Sequence, residues 1–158
     1  MSGIPQPIEE MIRQEAEQRG MVLIELLRRG QRNTSVVEVI VDSEQGVLLD
    51  DLTELSRWVS ALLDQHEEAI AGRYRLEVSS AGLERPLQFD WQYRKNIGRL
   101  LKLQYADPEG TIRTDIFRLA EATAEALTLT RRAGRRDTAE QLTIALSDVK
   151  RAIVEPEL

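Results

Sequence analysis

Between Ile8 and Ala16 the apolar residues Ile8, Met11, Ile12 and Ala16 recur at helical spacing, with glutamates among the positions between. This predicts an amphipathic helix, ended by Gly20. Two apolar runs follow, "MVLIELLRR" and "SVVEVIVD", separated by the turn-prone "GQRN". They predict an antiparallel hairpin with Val37, Val39 and Val41 on one face. "DSEQG" predicts a turn, and "LDDLTELSRWVSALLDQ" returns to helical spacing, with Leu52, Leu55, Val59 and Leu62 on one stripe and acids in the first turn, where the helix dipole favours them. Tyr74, Leu76 and Val78 then alternate with Arg75, Glu77 and Ser79, which predicts a third strand.

The order helix, strand, strand, helix, strand implies two helices packed on a three-stranded sheet. Past Pro86 the pattern changes. "QFDWQYRKN" reads as a short helical or irregular piece, and "GRLLKLQY", "TIRTDIFRLAEA", "ALTLTRR" and "EQLTIAL" read as short strands with turn residues between them. "SDVKRAIVEPEL" predicts a helical turn over Ser147 to Lys150 and a closing strand. Several short strands in close succession predict a small β-barrel. The expected fold is therefore α+β: an N-terminal α-β-β-α-β domain over residues 1–87 and a C-terminal barrel over residues 88–158. No low-complexity linker separates them, so a tight junction is expected.

Composition narrows the chemistry. The chain has 158 residues, 42% of them hydrophobic, and no stretch approaches the roughly 18 apolar residues of a membrane span. The acidic start "MSGIPQPIEEMIRQE" lacks a signal-peptide apolar core, and a cytoplasmic location is expected. With no cysteine, disulfides, thiolate nucleophiles and Cys-based zinc sites drop out, and the single histidine, His66, cannot build a multi-histidine metal site. Charge is uneven: through Asn96 there are 11 basic against 17 acidic residues, and beyond it 10 against 10. An acidic surface suits a basic protein partner better than naked nucleic acid. The local exception is "RRAGRR", in which Arg131, Arg132, Arg135 and Arg136 surround a glycine.

Ser79 and Ser80 stand at a strand end, where α/β enzymes often place a nucleophile, but "VSSAGL" is not a G-x-S-x-G elbow and His66 is the only imidazole available as a base. The expected role is structural: hydroxyls satisfying backbone groups, Gly82 supplying an unusual dihedral and Pro86 stiffening the exit. "DSEQGVLLDD" looks like a calcium loop, yet Gly46 falls one position early for an EF-hand, and a turn with a helix N-cap accounts for it. No phosphate-binding loop or dinucleotide fingerprint is present in the sequence. The reading is a non-enzymatic protein with no cofactor. His66, beside Glu67 and Glu68, is expected to be solvated near a helix C-terminus. Trp58, Trp91 and Tyr93 are expected to pack, the last two also fixing the relative orientation of the domains. The four-arginine segment admits two readings: a solvated hairpin tip that keeps a sheet edge from pairing with other chains, or a grip on RNA phosphates.

The stretch "YRLEVSSAGLERPL", Tyr74 to Leu87, resembles the signature Tyr-x-Leu-Glu-Val-Ser-Ser-Pro-Gly-Leu-Asp-Arg-Pro-Leu of the bacterial ribosome maturation factor RimP family. "GVLLDDLTELSRWVSALLD", Gly46 to Asp64, resembles that family's second helix start, and the acidic Pro-Glu-Leu ending also agrees. Ala81 stands where the family has proline, which predicts a less rigid bend, and Glu84 stands where it has aspartate. The resemblance implies a C-terminal domain of SH3-like or Sm-like barrel type. It also implies a monomeric, cytoplasmic, non-enzymatic factor that binds the free 30S subunit and assists late assembly, including placement of small-subunit ribosomal protein twelve and nearby 16S rRNA. Glu77, Ser79, Ser80, Gly82, Glu84, Arg85 and Pro86 are then expected to form a polar network or contact surface where the domains meet, with Gly82 and Pro86 setting the bend. Arg131, Arg132, Arg135 and Arg136 become candidates for RNA phosphates.

Overall fold

A computed structural model describes residues 3–31, 33–70 and 72–157, which divide into two compact units, Met1–Ala81 and Gly82–Leu158. In the first unit the elements are α1 (Gln6–Gln18), β1 (Val22–Arg29), β2 (Ser35–Asp42), α2 (Leu49–Gln65), a 3-10 turn (Glu67–Ala69) and β3 (Tyr74–Ser80). Pro7 sits in the first turn of α1, where its missing N–H costs nothing. Ile8, Ile12 and Ala16 are buried, but Met11, expected on the same stripe, is 41% exposed. The buried row follows the i, i+4 ridge, which rotates away from Met11 as it climbs the helix. At the other end Gly20 takes φ +78. Its N–H donates to Glu17 O at 3.0 Å and that of Met21 to Ala16 O at 2.9 Å, a Schellman stop.

β1 and β2 pair antiparallel from Val22↔Asp42 to Arg29↔Val36, with a bulge between Leu23 and Glu25. β2 and β3 pair parallel from Ser35↔Tyr74 to Val41↔Ser80. A parallel pair needs a crossover, and α2 supplies it. Val37, Val39 and Val41 share a core with Ile12, Leu55 and Val59, all at 0% exposure, while Trp58 is partly buried against it. "DSEQG" closes a turn, with Gly46 at φ +92 and its N–H donating to Ser43 O at 3.1 Å. It does not cap α2, whose N-cap is Leu48 with no side-chain hydrogen bond. Asp50 and Asp51 in the first turn face the dipole instead.

The second unit contains α3 (Asp90–Arg94), β4 (Leu100–Ala106), β5 (Ile112–Ala122), β6 (Ala126–Ala133), β7 (Arg136–Ala145), a 3-10 turn (Leu146–Asp148) and β8 (Val149–Glu155). The strands form one antiparallel sheet in the order β7-β6-β5-β4-β8. β7 and β8 are its edges, and no ladder joins them among the described residues. Phe117, Leu101, Leu103, Leu119, Leu127 and Leu129 fill the core at 0% exposure, and Tyr93 joins them from α3. The helical turn expected over Ser147 to Lys150 lies earlier, because Val149 already pairs with Tyr105 in the β4–β8 ladder. β7 also begins earlier than "EQLTIAL", at Arg136, so the arginine segment contains the ends of two strands.

Candidate functional site

The candidate residues fall on both units, and the first unit carries Glu77, Ser79 and Ser80. Glu77 lies beside Glu38 in the β2–β3 ladder, two like charges in register. Arg29 bridges them, its Nε 2.5 Å from Glu38 Oε1 and its Nη2 3.7 Å from Glu77 Oε2. Arg75 Nη2 adds a contact to Glu77 Oε1 at 2.9 Å. Cross-strand repulsion is thereby converted into an ion network on the sheet face. Ser79 and Ser80 end β3 exposed to solvent. Neither hydroxyl makes the expected hydrogen bond to backbone or to any other group among the described residues. The ladder closes by itself, since the N–H of Ala81 donates to Val41 O at 2.8 Å. His66 is the C-cap of α2 and turns its Nδ1 to Glu68 at 3.5 Å.

In the second unit Gly82 to Arg85 form a turn, with the Arg85 N–H donating to Gly82 O at 3.2 Å. Gly82 is not among the residues with positive φ, so the unusual dihedral expected of it is absent. A Cβ there would lie 2.5 Å from both oxygens of the Glu84 carboxylate, the movable end of a side chain that folds back over it. Glu84 and Pro86 are exposed and Arg85 is partly buried. Leu83 is 55% exposed. The segment is anchored where the N–H of Leu87 donates to Ala152 O at 2.8 Å.

The four arginines belong to the β6–β7 hairpin and have different surroundings. Ala133 pairs with Arg136, leaving Gly134 and Arg135 as a two-residue loop, and Gly134 has φ +62, as the first loop position of a type II′ turn requires. Arg132 Nη1 reaches Asp137 Oδ1 at 2.6 Å. Arg118 reaches Asp137 Oδ2 and Glu157 Oε1, each at 2.6 Å, and donates to Gly98 O at 2.8 Å. Hydrogen bonds from Arg132 and then Arg118 hold the Asp137 carboxyl below the ordinary carboxylate range, and the bond from Arg118 does the same for Glu157. Arg131 pairs with Glu140 at 3.1 Å, and its guanidinium carbon lies 5.7 Å from the Phe117 ring centroid. The side chains of Arg135 and Arg136 are exposed and have no ion-pair or hydrogen-bond partner among the described residues.

Two further cations lie outside the arginine segment. On the face of β8–β4–β5 opposite the core, one cross-strand row is Ile153–Lys102–Ile116 and the next is Arg151–Gln104–Thr114. Lys102 and Arg151 are exposed and unpaired among the described residues. The alternation in "RLLKLQY" already places Lys102 and Gln104 together on the outer face. Arg151 joins them only through pairing of β4 with β8, which sequence spacing does not show. Among the described residues there is no group of three or more His, Cys, Asp or Glu side chains placed to hold a metal ion. No described helix is long and apolar enough to cross a membrane.

These features define a two-unit α+β protein with an ion-networked sheet in one unit and a basic hairpin in the other. Residues 11–84 match the family model of the RimP N-terminal domain, from the second turn of α1 to the turn after β3. The chain therefore carries a RimP N-terminal domain, and the resemblance read from Gly46–Asp64 and from Tyr74 to Glu84 is supported. RimP is a family of ribosome maturation factors and not a known family of enzymes, so the match implies a role in ribosome maturation.

Proposed function

We propose that this protein is a non-enzymatic, monomeric, cytoplasmic maturation factor that binds the free 30S ribosomal subunit. There it assists late assembly, including placement of small-subunit ribosomal protein twelve and nearby 16S rRNA. The observation that carries this reading is the RimP N-terminal domain match over residues 11–84. Two physical features support it. The acidic excess of the first 96 residues, 17 carboxylates against 11 cations, complements a basic protein. The exposed Arg135 and Arg136 offer guanidinium groups to phosphates.

The reading divides the chain into a partner-binding domain over residues 1–87 and an RNA-facing domain over residues 88–158, the latter an SH3-like or Sm-like barrel. Glu77, Ser79 and Ser80 in the first unit, and Gly82, Glu84, Arg85 and Pro86 in the second, are the candidate polar partner contacts, and Ala81 in place of the family proline leaves the chain there less rigid. Titration with purified small-subunit protein twelve tests the protein contact. Saturable binding, weakened by added salt and by Arg85→Ala, is expected; no binding at low salt would sink the assignment of that partner.

A further inference from the structure

We infer that the outward face of β8–β4–β5 is a binding track for the phosphodiester backbone of single-stranded RNA, with Lys102 and Arg151 as its phosphate contacts. The inference rests on the ribosomal reading for the identity of the RNA. The chemistry of the face stands on its own.

Two cross-strand rows define it: Ile153–Lys102–Ile116 and Arg151–Gln104–Thr114. Diagonal neighbours on such a face are about 7–8 Å apart, a separation that two long side chains can adjust to adjacent phosphates. Neither cation has an acidic partner among the described residues, and neither row contains a carboxylate. Charges that stabilise the fold here are paired, as Arg113 is with Asp107 at 2.6 Å and Arg118 with Asp137 at 2.6 Å. Lys102 and Arg151 stand outside that pattern. Gln104 and Thr114 add neutral hydrogen-bonding groups beside them, suited to phosphate or ribose oxygens. Ile116, 38% exposed, and Ile153 offer apolar contact to sugars.

The surface is concave where these side chains meet. One depression of about 400 Å³ is lined by Lys102, Gln104, Thr114, Arg151 and Ile153. A second, of about 370 Å³, shares Lys102 and Thr114 and is lined also by the Asp115 carboxylate and by Arg131, Arg132 and Gly134 of the β6–β7 hairpin. Arg131 and Arg132 at its far end are paired with Glu140 and Asp137, so the unpaired charge of the face comes from Lys102 and Arg151. Its charge favours a polyanion. The absence of an aromatic ring from the two rows favours the backbone over stacked bases. An acidic peptide is the competing occupant, but one strand of regularly spaced phosphates matches two cations on adjacent rows.

The test uses the full chain and a labelled unstructured oligouridylate, read by fluorescence anisotropy over a series of salt concentrations. A polyglutamate of similar length serves as competitor. Wild type is expected to bind the RNA, with polyglutamate competing poorly. K102Q/R151Q should bind more weakly, with a log K against log salt slope shallower by about 1.4, at about 0.7 for each phosphate that the variant no longer neutralises. Both positions are exposed, and an unchanged thermal midpoint would verify that the variant folds. No binding by wild type, an unaltered slope in the variant, or preference for polyglutamate would overturn the assignment. Co-sedimentation with 30S subunits in parallel separates the two levels: RNA binding that depends on Lys102 and Arg151 without subunit binding would retain the track and reject the ribosomal reading.

Discussion

Arg132 faces Asp137 across the β6–β7 ladder, with 2.6 Å between guanidinium nitrogen and carboxylate oxygen. Arg118 grips the other oxygen of the same carboxylate, and Glu157 continues the chain of charges. A run of four arginines is thereby divided: Arg132 is engaged in the fold, while Arg135 and Arg136 are exposed to solvent.

The division predicts opposite phenotypes. R132Q should lower the thermal midpoint by a few degrees and leave the salt dependence of RNA or subunit binding unchanged. R135Q/R136Q should leave the midpoint unchanged and make the log K against log salt slope shallower by about 1.4 if both touch phosphates. Thermal melts and salt titrations on the same preparations distinguish the two effects. Equal slopes for wild type and R135Q/R136Q would return these arginines to a solvated hairpin tip.

The same cluster sets an acid response. Asp137 and Glu157 are both held below the ordinary carboxylate range by their arginine hydrogen bonds. The folded state therefore binds fewer protons than the unfolded chain as pH falls below about 4, and the stabilisation present at neutral pH is lost on passing through the lowered values. R118M should be less stable than wild type near neutrality, with the difference narrowing in strong acid. Urea unfolding at about pH 7 and about pH 2.5 measures it, and a constant difference would show that these ion pairs are not the source.

All three tyrosines resist ionisation. Burial pushes Tyr93 up to about 12, and burial followed by the hydrogen bond it donates to Asp115 pushes Tyr105 to about 12. Tyr74 is raised by burial and by the nearby Asp64 carboxylate. In the unfolded chain they ionise near the ordinary value of about 10. Folding stability is thus fully present below that value and declines as pH rises from about 10 toward 12. Tyrosinate absorbance of the native protein should lag that of the urea-unfolded protein; superimposed titration curves would contradict these environments.

Glycine substitutions separate two kinds of steric demand. At Gly30, with φ +87, an added Cβ would stand 2.5 Å from the backbone oxygen of Thr34. G30A should cost at least about 1–2 kcal/mol. At Gly82 the obstructing atoms belong to the end of the flexible Glu84 side chain, which can swing aside. G82A should change stability by less than about 0.5 kcal/mol. Denaturant midpoints for the two variants check the order, and an equally large loss at Gly82 would restore a backbone role for that glycine.

Much of the first unit is legible in the sequence because its signals are local. Helical spacing marks Ile8, Ile12 and Ala16, alternation marks Val37, Val39 and Val41, and the family signature lies within the matched region as far as Glu84. Met11 is misplaced because an apolar stripe has two sides and only packing decides which is covered. Gly82 is misread because a glycine in a turn has more than one use. The division of the arginine quartet depends on Asp137, Arg118 and Glu157, and pairing of Arg118 with Glu157 spans 39 positions of sequence. Lys102 and Arg151 meet through strand register for the same reason. Long-range pairing, rather than local propensity, determines which charges remain available.

The most direct test of the ribosomal reading is co-sedimentation of the purified protein with isolated 30S subunits and with 70S ribosomes at two salt concentrations. Preferential, saturable binding to 30S that weakens at the higher salt is the predicted result. Absence of binding to 30S, or equal binding to both particles, would contradict a role on the free small subunit.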